Sequence, residues 1–138
     1  MRRGFTLIEL MIVVVILGTL ATMIMPRILD RPEQARRVKA KTDIRSIQQA
    51  LSLFKSDTGR FPTTSEGLAA LVTNPGNVRN YNASAYLERV PTDPWGNPYI
   101  YLCPGLNGKD YDLESFGKDG EDGGTGDDAD VESWNIES

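Results

Sequence analysis

RRGFTLIEL, residues 2–10, opens an apolar segment that continues through Met25. From Phe5 to Met25 about twenty residues carry one ionisable side chain, roughly the length that a helix needs to cross the hydrocarbon core of a bilayer. That side chain belongs to Glu9. A carboxylate is costly about one turn inside an apolar run, so we interpret Glu9 as a functional residue.

Two ordinary interpretations of this segment compete. Arg2 and Arg3 before an apolar run are typical of a secretory signal peptide, and Thr19-Leu20-Ala21 fits a cleavage site. However, a signal peptide would not carry a carboxylate near its start, and no polar break follows Ala21. A plain membrane anchor explains the length and the two arginines on the cytoplasmic side. It leaves Glu9 and the Gly4-Phe5 junction unexplained.

The run Gly4-Phe5-Thr6-Leu7-Ile8-Glu9 resembles the type III signal of type IV pilins and pseudopilins. In that family a prepilin peptidase cuts between the glycine and the phenylalanine and methylates the new amino terminus. The resemblance implies a leader of residues 1–4, cleavage between Gly4 and Phe5, and N-methylation of Phe5. Residues 5–25 would then remain as a single-pass inner-membrane helix that later packs in a filament core.

The spacing of Phe5 and Glu9 also has a physical interpretation. Cleavage would expose an amine on Phe5 that is mostly charged near neutral pH. In an apolar helix bundle, a lone ammonium or a lone carboxylate costs more than a pair of them. Our hypothesis is that the Phe5 amine of an incoming subunit pairs with Glu9 of a neighbour, which makes Glu9 a register device for assembly.

The composition describes a globular domain attached to this segment. The chain has 138 residues, 40% of them hydrophobic and 25% charged, which allows one domain of about a hundred residues beyond the anchor. The net charge of −4 hides a basic stretch from Arg27 to Arg60 and an acidic end after Pro104. The acidic end argues against binding to nucleic acid there, and the basic helix is interpreted as a solvated face. The chain lacks histidine, and the lone Cys103, expected to be buried and inert, permits no internal disulfide.

The segment 26–60 is predicted to hold a kink and an amphipathic helix. Pro26 and Pro32 predict a bend or local unwinding, with Pro32 suited to begin a new helix that ends at Gly59. One face of this helix carries apolar residues at spacings of three and four. They are Ala40, Ile44, Ile47, Leu51 and Phe54. We expect this stripe to dock on a sheet.

Residues 61–138 are predicted to form a periplasmic domain. We expect a short helix over residues 67–72, capped by Thr63, Thr64 or Ser65. The loop that follows should be anchored by Tyr81 and Tyr86. In the next turn, Trp95 should pack on the long helix. Strands are expected over residues 99–103, 110–116 and 131–136, with Asp112 and Glu114 on the exposed face. The pattern predicts an α+β fold, with a long N-terminal helix, half membrane-spanning and half amphipathic, packed on a small antiparallel sheet.

The loop over residues 117–130 is rich in glycine and carboxylates. Glycine permits sharp turns, and carboxylates are the hard oxygen ligands that Ca²⁺ prefers. The spacing does not match an EF-hand, and an acidic solvated loop is the alternative. If the loop is ordered, repulsion between its carboxylates favours a bound cation.

Four motifs in order, PTTSEGLAALV, DPWGNPY, SFGKDG and DADVESWN, resemble the major pseudopilins of type II secretion systems. The resemblance implies a pilin-like fold whose C-terminal loop binds calcium. By position, it implies Asp119, Asp128 and Asp130 as side-chain ligands, with carbonyls near Phe116 and Glu121. It also implies a homopolymeric structural subunit, not an enzyme, of the periplasmic pseudopilus that drives export of folded proteins. The implied partners are minor pseudopilins, an inner-membrane platform with its ATPase, and the secretin.

Two other functions stay open on the sequence. The chain also suits the major subunit of a type IV pilus, which serves adhesion, motility or DNA uptake. Such pilins commonly close their C-terminal region with a disulfide, which Cys103 alone cannot form. A membrane-tethered enzyme would need a carboxylate pair or a metal site in the acidic loop, because no nucleophile with a base is apparent.

Overall fold

The computed structural model describes residues 4–136, without the side chains of residues 24–31. It divides into two compact units, Met1–Ala35 and Arg36–Ser138, which we describe separately. Its elements fit the predicted α+β class. They are one long helix α1 (Leu7–Thr58), the 3₁₀ helices Leu68–Leu71 and Gly126–Asp128, and the strands β1 (Ile100–Leu102), β2 (Asp112–Ser115) and β3 (Val131–Glu132).

Helix α1 is continuous from Leu7 to Thr58. The predictions of local unwinding between Pro26 and Pro32 and of a new helix start at Pro32 are therefore wrong, while the bend stays a prediction. A proline removes only one backbone donor, and the helical turns that flank both prolines retain theirs. Within the residues described with their side chains, no helix is both long and apolar enough to cross a membrane.

The core of the second unit forms around the predicted stripe of α1. All five stripe residues are buried, and they meet side chains from the 3₁₀ helix and from the sheet, including Leu71, Tyr101 and Leu113. Trp95 also packs against this core. Helix α1 ends at the predicted cap, where Gly59 has φ +82° and donates its N–H to the Lys55 carbonyl.

The connection after α1 is anchored by aromatic rings, as predicted. Tyr86 and Tyr81 pack edge-on against Phe54, with ring centroids 5.3 and 6.1 Å away. The short helix is a 3₁₀ turn without a side-chain cap. The expected capping residue acts one turn earlier, because Thr63 Oγ1 accepts the Glu66 N–H while Glu66 Oε2 accepts the Thr63 N–H.

The three strands form an antiparallel sheet in the order β1-β2-β3, with Tyr101 opposite Leu113 and Ser115 opposite Val131. All three are shorter than predicted. Strand β1 stops before Cys103 because the Thr64 hydroxyl binds both the N–H and the carbonyl of that residue. The Cys103 thiol is half-buried, so the expectation of a fully buried side chain is wrong.

Asp112 on β2 was predicted to face solvent, and this prediction is wrong. It is 5% exposed. The β1–β2 loop covers it and donates the Leu106 N–H and the Asn107 amide to its Oδ2, at 2.7 and 2.9 Å. Polar alternation along a strand therefore does not identify the exposed face here, because a loop supplies hydrogen bonds to the carboxylate.

Candidate assembly segment and metal centre

The Gly4-Phe5 junction lies ahead of α1, outside the helical hydrogen bonding, and both residues are exposed. Thr6 caps the helix, because its Oγ1 accepts the Glu9 N–H at 3.3 Å and its carbonyl accepts the Leu10 N–H. The Thr-x-x-Glu spacing is a helix-start signal that our sequence analysis did not use. Glu9 therefore occupies the first turn of α1, where the helix dipole favours a carboxylate.

The helix from Leu7 to Met23 presents apolar side chains on all its faces, and all of them are exposed. Its hydroxyl groups are satisfied internally, because Thr19 donates to the Ile16 carbonyl and Thr22 to the Thr19 carbonyl. Internal satisfaction of polar groups is what an apolar surrounding demands. This surface needs cover from lipid or from other helices.

The entry to the acidic loop is fixed by a buried relay. Asp93 accepts the backbone N–H groups of Trp95 and Asn97 on Oδ1 and the Ser115 hydroxyl on Oδ2, the last at 2.6 Å. The Ser115 oxygen in turn accepts the Gly117 N–H at 3.2 Å. The DPWGNP turn thus holds the residue at which the acidic loop begins.

The exit from the loop is fixed from α1. Arg37 donates from Nη1 to the Ala129 carbonyl at 2.6 Å and from Nη2 to the Asp130 carbonyl at 3.5 Å. Entry and exit touch, because a Cβ on Gly117 would lie 2.8 Å from the Ala129 oxygen. We call the contact between Gly117 and Ala129 the neck of the loop.

Beside the neck, three carboxylates converge. Glu114 on β2 lies opposite Glu132 on β3, and ligand oxygens of these two residues and of Asp130 all lie within 4.8 Å of one another. Asp130 Oδ2 accepts the Gly123 N–H at 2.8 Å. In the part of the chain that the structure describes, the buried Oδ1 of Asp130 has no hydrogen-bond partner.

The electrostatics of this carboxylate cluster favour a cation. Burial, reinforced by Asp130, Asp122 and Glu132, raises the pKa of Glu114 to about 7. Burial also raises the pKa of Asp130, with Asp122 and Asp119 adding to the effect. Crowded carboxylates and an unpaired buried oxygen are what a hard divalent cation would relieve, so the residues present fit calcium.

Of the three predicted ligands, Asp130 lies in the cluster. Asp119 lies close enough to raise the pKa of Asp130 through charge repulsion. The Asp119 Oδ1 accepts the Glu121 N–H. Asp128 is exposed and lies outside the cluster; its carbonyl oxygen lies 2.6 Å from where a Cβ on Gly124 would be. Sequence reasoning missed Glu114 and Glu132, because their pairing depends on the register of two strands that are distant in sequence.

Comparisons with known proteins identify the family of the chain. Residues 27–134 match the family "Type II secretion system (T2SS), protein G", and residues 1–25 match the "Prokaryotic N-terminal methylation motif". The "Type II secretion system core protein G" of Pseudomonas aeruginosa is 50% identical over 136 residues, covering 96% of this chain and 95% of the relative. The protein of the same name from Vibrio cholerae is 49% identical over 138 residues, covering 99% and 94%.

A solved structure has a fold similar to that of this chain. The crystal structure of the major pseudopilin from the type 2 secretion system of enterohaemorrhagic Escherichia coli has a TM-score of 0.68 and 36% sequence identity, covering 78% of this chain and 90% of that one. The fold is therefore pilin-like, and the N-terminal motif is that of a filament subunit.

Within that class, the chain belongs to the family of type II secretion system protein G, the major pseudopilins. It is a structural subunit of the secretion pseudopilus and not an enzyme, which decides against the type IV pilus and tethered-enzyme alternatives. Family membership implies self-assembly into a membrane-associated, periplasmic pseudopilus of the secretion machinery.

Proposed function

We propose that residues 5–25 hold the subunit in the inner membrane as a single pass, with the second unit in the periplasm, until it enters the pseudopilus. The exposed apolar surface of Leu7–Met23, with Glu9 as its one ionisable residue, supports this proposal. Assembly would transfer this surface from lipid to neighbouring helices. The same apolar contacts serve both states, so little hydrophobic cost opposes the transfer.

Assembly begins with processing at the N terminus. A prepilin peptidase cleaves between Gly4 and Phe5 and methylates Phe5, and the Phe5 amine then pairs with Glu9 of a neighbouring subunit. The observation that carries this step is the position of Glu9, in the first turn of α1 and one turn from Phe5. A pair between subunits satisfies both charges in a filament core that would otherwise leave each unpaired.

The test combines mass spectrometry of the mature chain with quantification of sheared filaments. Wild type, Glu9→Val, Glu9→Gln and the control Thr22→Val should all begin at methylated Phe5. Both Glu9 variants should yield at most about one tenth of the wild-type amount of filament. A tenfold loss corresponds to about 1.4 kcal/mol of assembly free energy, which we attribute to the missing pair. Thr22→Val, in the same segment, should assemble normally. Normal assembly of processed Glu9→Val would refute the pairing, and a mature chain beginning elsewhere would refute the processing step.

The filament works within a larger secretion machine. Minor pseudopilins cap it, an inner-membrane platform with a cytoplasmic ATPase drives its growth, and the secretin passes folded proteins through the outer membrane. The match of residues 27–134 to protein G supports this role. Deletion of the gene should abolish secretion of exoproteins and leave surface pili intact; loss of pili with secretion intact would contradict it.

The carboxylate cluster would hold calcium. Glu114, Asp130 and Glu132 are placed to supply side-chain oxygens, with Asp119 next to them. A bound Ca²⁺ would supply positive charge that offsets their repulsion and ties the acidic loop to β2 and β3. The unpaired Oδ1 of Asp130 is the observation that supports this assignment most directly.

Calcium should therefore stabilise the fold. At a hundredfold excess over its Kd, Ca²⁺ adds about 2.7 kcal/mol, and the melting temperature should rise by about 5 °C or more relative to EGTA. Asp130→Asn should remove most of the difference, whereas Asp127→Asn, an exposed acid in the same loop, should keep it. Superimposed wild-type melting curves in calcium and in EGTA would eliminate the site. Asp128→Asn tests whether that predicted ligand contributes.

A further inference from the structure

The guanidinium of Arg37 binds main-chain oxygens at the exit of the acidic loop, and one of the two residues that it binds, Asp130, carries a carboxylate of the cluster. The guanidinium donates to the carbonyls of Ala129 and Asp130, at 2.6 and 3.5 Å. Glu114, Asp130 and Glu132 converge next to this point. The positive charge of an arginine near a cation site repels the cation and by itself weakens cation binding. If Arg37 strengthens cation binding, it must therefore do so through its hydrogen bonds and not through its charge.

The backbone that Arg37 holds is the backbone that carries the Asp130 carboxylate. The other side of the neck is fixed separately, through Asp93, Ser115 and Gly117. Residue 130 is followed at once by β3, where Val131 pairs with Ser115. On the loop side, Asp130 is held by Arg37 and by bonds within the loop, from the Ala129 N–H to the Gly126 carbonyl and from the Gly123 N–H to Asp130 Oδ2. Of these contacts, only the one from Arg37 ties this backbone to α1, while the strand fixes the other side.

We propose that Arg37 is a positioning residue for the cation site: by holding the carbonyls of Ala129 and Asp130 on α1, it presents the Asp130 carboxylate to Glu114 and Glu132 before a cation binds. The inference rests on the proposed calcium function for its ligand. Its structural part, the placement of Asp130, stands on contacts among the chain's own residues. Groups that orient ligands in this way typically change metal affinity by about 10- to 100-fold when they are removed.

The sign of the effect separates positioning from charge. Arg37→Met removes both hydrogen bonds and one positive charge, so positioning predicts weaker calcium binding whereas charge alone predicts tighter binding. Arg45→Met is the matched control, because Arg45 lies on the same helix, is exposed, and has the same charge. Arg37→Lys keeps the charge but loses the two-pronged geometry of the guanidinium.

The experiment uses the full chain in detergent, titrated with Ca²⁺ by isothermal calorimetry. We expect Arg37→Met to bind about tenfold or more weakly, Arg37→Lys to be intermediate, and Arg45→Met to bind as wild type or slightly more tightly. Binding by Arg37→Met as tight as or tighter than wild type would overturn the proposal. Arg37→Lys keeps the test decisive if Arg37→Met does not fold.

A second readout in EGTA does not depend on calcium. The Gly123 amide donates to Asp130 Oδ2, so its hydrogen exchange reports where that carboxylate sits. Arg37→Met should speed exchange at Gly123 by about tenfold, the loss of about 1.4 kcal/mol of local protection, and Arg45→Met should leave it unchanged. Unchanged exchange in Arg37→Met would overturn the proposal. If wild type fails to bind calcium while this exchange difference appears, the calcium function fails and the positioning of Asp130 stands.

Discussion

Arg60 and Glu66 make a bidentate ion pair. Arg60 donates from Nη1 to Glu66 Oε2 at 2.7 Å and from Nη2 to Oε1 at 2.8 Å, and the Thr63 N–H adds a third bond to Oε2. The Arg60 hydrogen bond, with help from Thr63, lowers the pKa of Glu66 to about 2. This pair fixes the turn that leads the chain out of α1.

A pH dependence of stability follows from this pair. Because the pKa of Glu66 is lower in the folded state, its contribution is fully present above about pH 4.5 and is lost as pH falls toward 2. Glu66→Gln should cost on the order of 2 kcal/mol at pH 7, discounted for the partly exposed Arg60, and the cost should shrink between pH 4.5 and 2. Urea unfolding at a series of pH values measures it.

The exposed pair of Lys55 and Asp110 provides the control. Its atoms are 3.4 Å apart and both side chains are about half exposed or more. Asp110→Asn should cost less than about 0.5 kcal/mol. An equal cost for both variants would show that the geometry around Glu66 contributes nothing special.

At the scale of elements, two adjacent residues of helix α1 lie on opposite faces, one buried and one exposed to solvent. Phe54 is fully buried and packs edge-on against Tyr86 and Tyr81, whereas Leu53 is 58% exposed. Burial of a large side chain in a well-packed core contributes far more than the same surface left in water. The two neighbours thus offer a matched comparison within one helical turn.

Phe54→Ala should lower the free energy of unfolding by about 3–5 kcal/mol, because it leaves a cavity between α1 and the two tyrosines. Leu53→Ala should change it by less than about 0.5 kcal/mol. Chemical denaturation followed by tyrosine fluorescence compares the two. Equal losses would mean that α1 packs through a different face.

The stripe on α1 could be predicted from sequence because helical periodicity is local: each spacing of three or four is decided within one turn. The strand ends could not. Strand β1 stops because Thr64, 39 residues earlier, binds Cys103, and Asp112 is buried because a loop folds over it. Those causes lie in contacts that no local pattern encodes.

The same limit applies to the candidate site. Loop composition predicted a cation, and the resemblance to pseudopilins pointed to Asp130, but Glu114 and Glu132 become neighbours only through the pairing of β2 with β3. Arg37 lies 92 residues from its Ala129 partner. The resemblance to pseudopilins supplied what composition could not, namely which acidic residues in the loop to consider.

At the scale of the whole molecule, the core belongs to the second unit. Every buried hydrophobic residue of the described core lies at Ala40 or later. Residues Leu7–Met23 contribute apolar surface but none of that core. The apolar segment Leu7–Met23 and the folded unit therefore draw their stability from different contacts.

A fragment of residues 32–138 should fold alone. It should melt cooperatively, within about 3 °C of the full chain in the same detergent, and remain monomeric, because it keeps the core and lacks the apolar surface. Calorimetry and analytical ultracentrifugation check both points, with the Phe54→Ala fragment as a destabilised control. Non-cooperative melting of the fragment would show that the first unit contributes to the core.

The two ends of the acidic loop are in contact at the neck between Gly117 and Ala129, so the loop leaves and rejoins the folded unit at one point. Because the ends already touch, the number of residues between them does not alter how β2 aligns with β3, and lengthening such a loop carries only a small entropic cost. Peptide tags grafted into this loop away from Asp119 and Asp122 would thus be displayed without disturbing the sheet. The loop is therefore a convenient site for labelling.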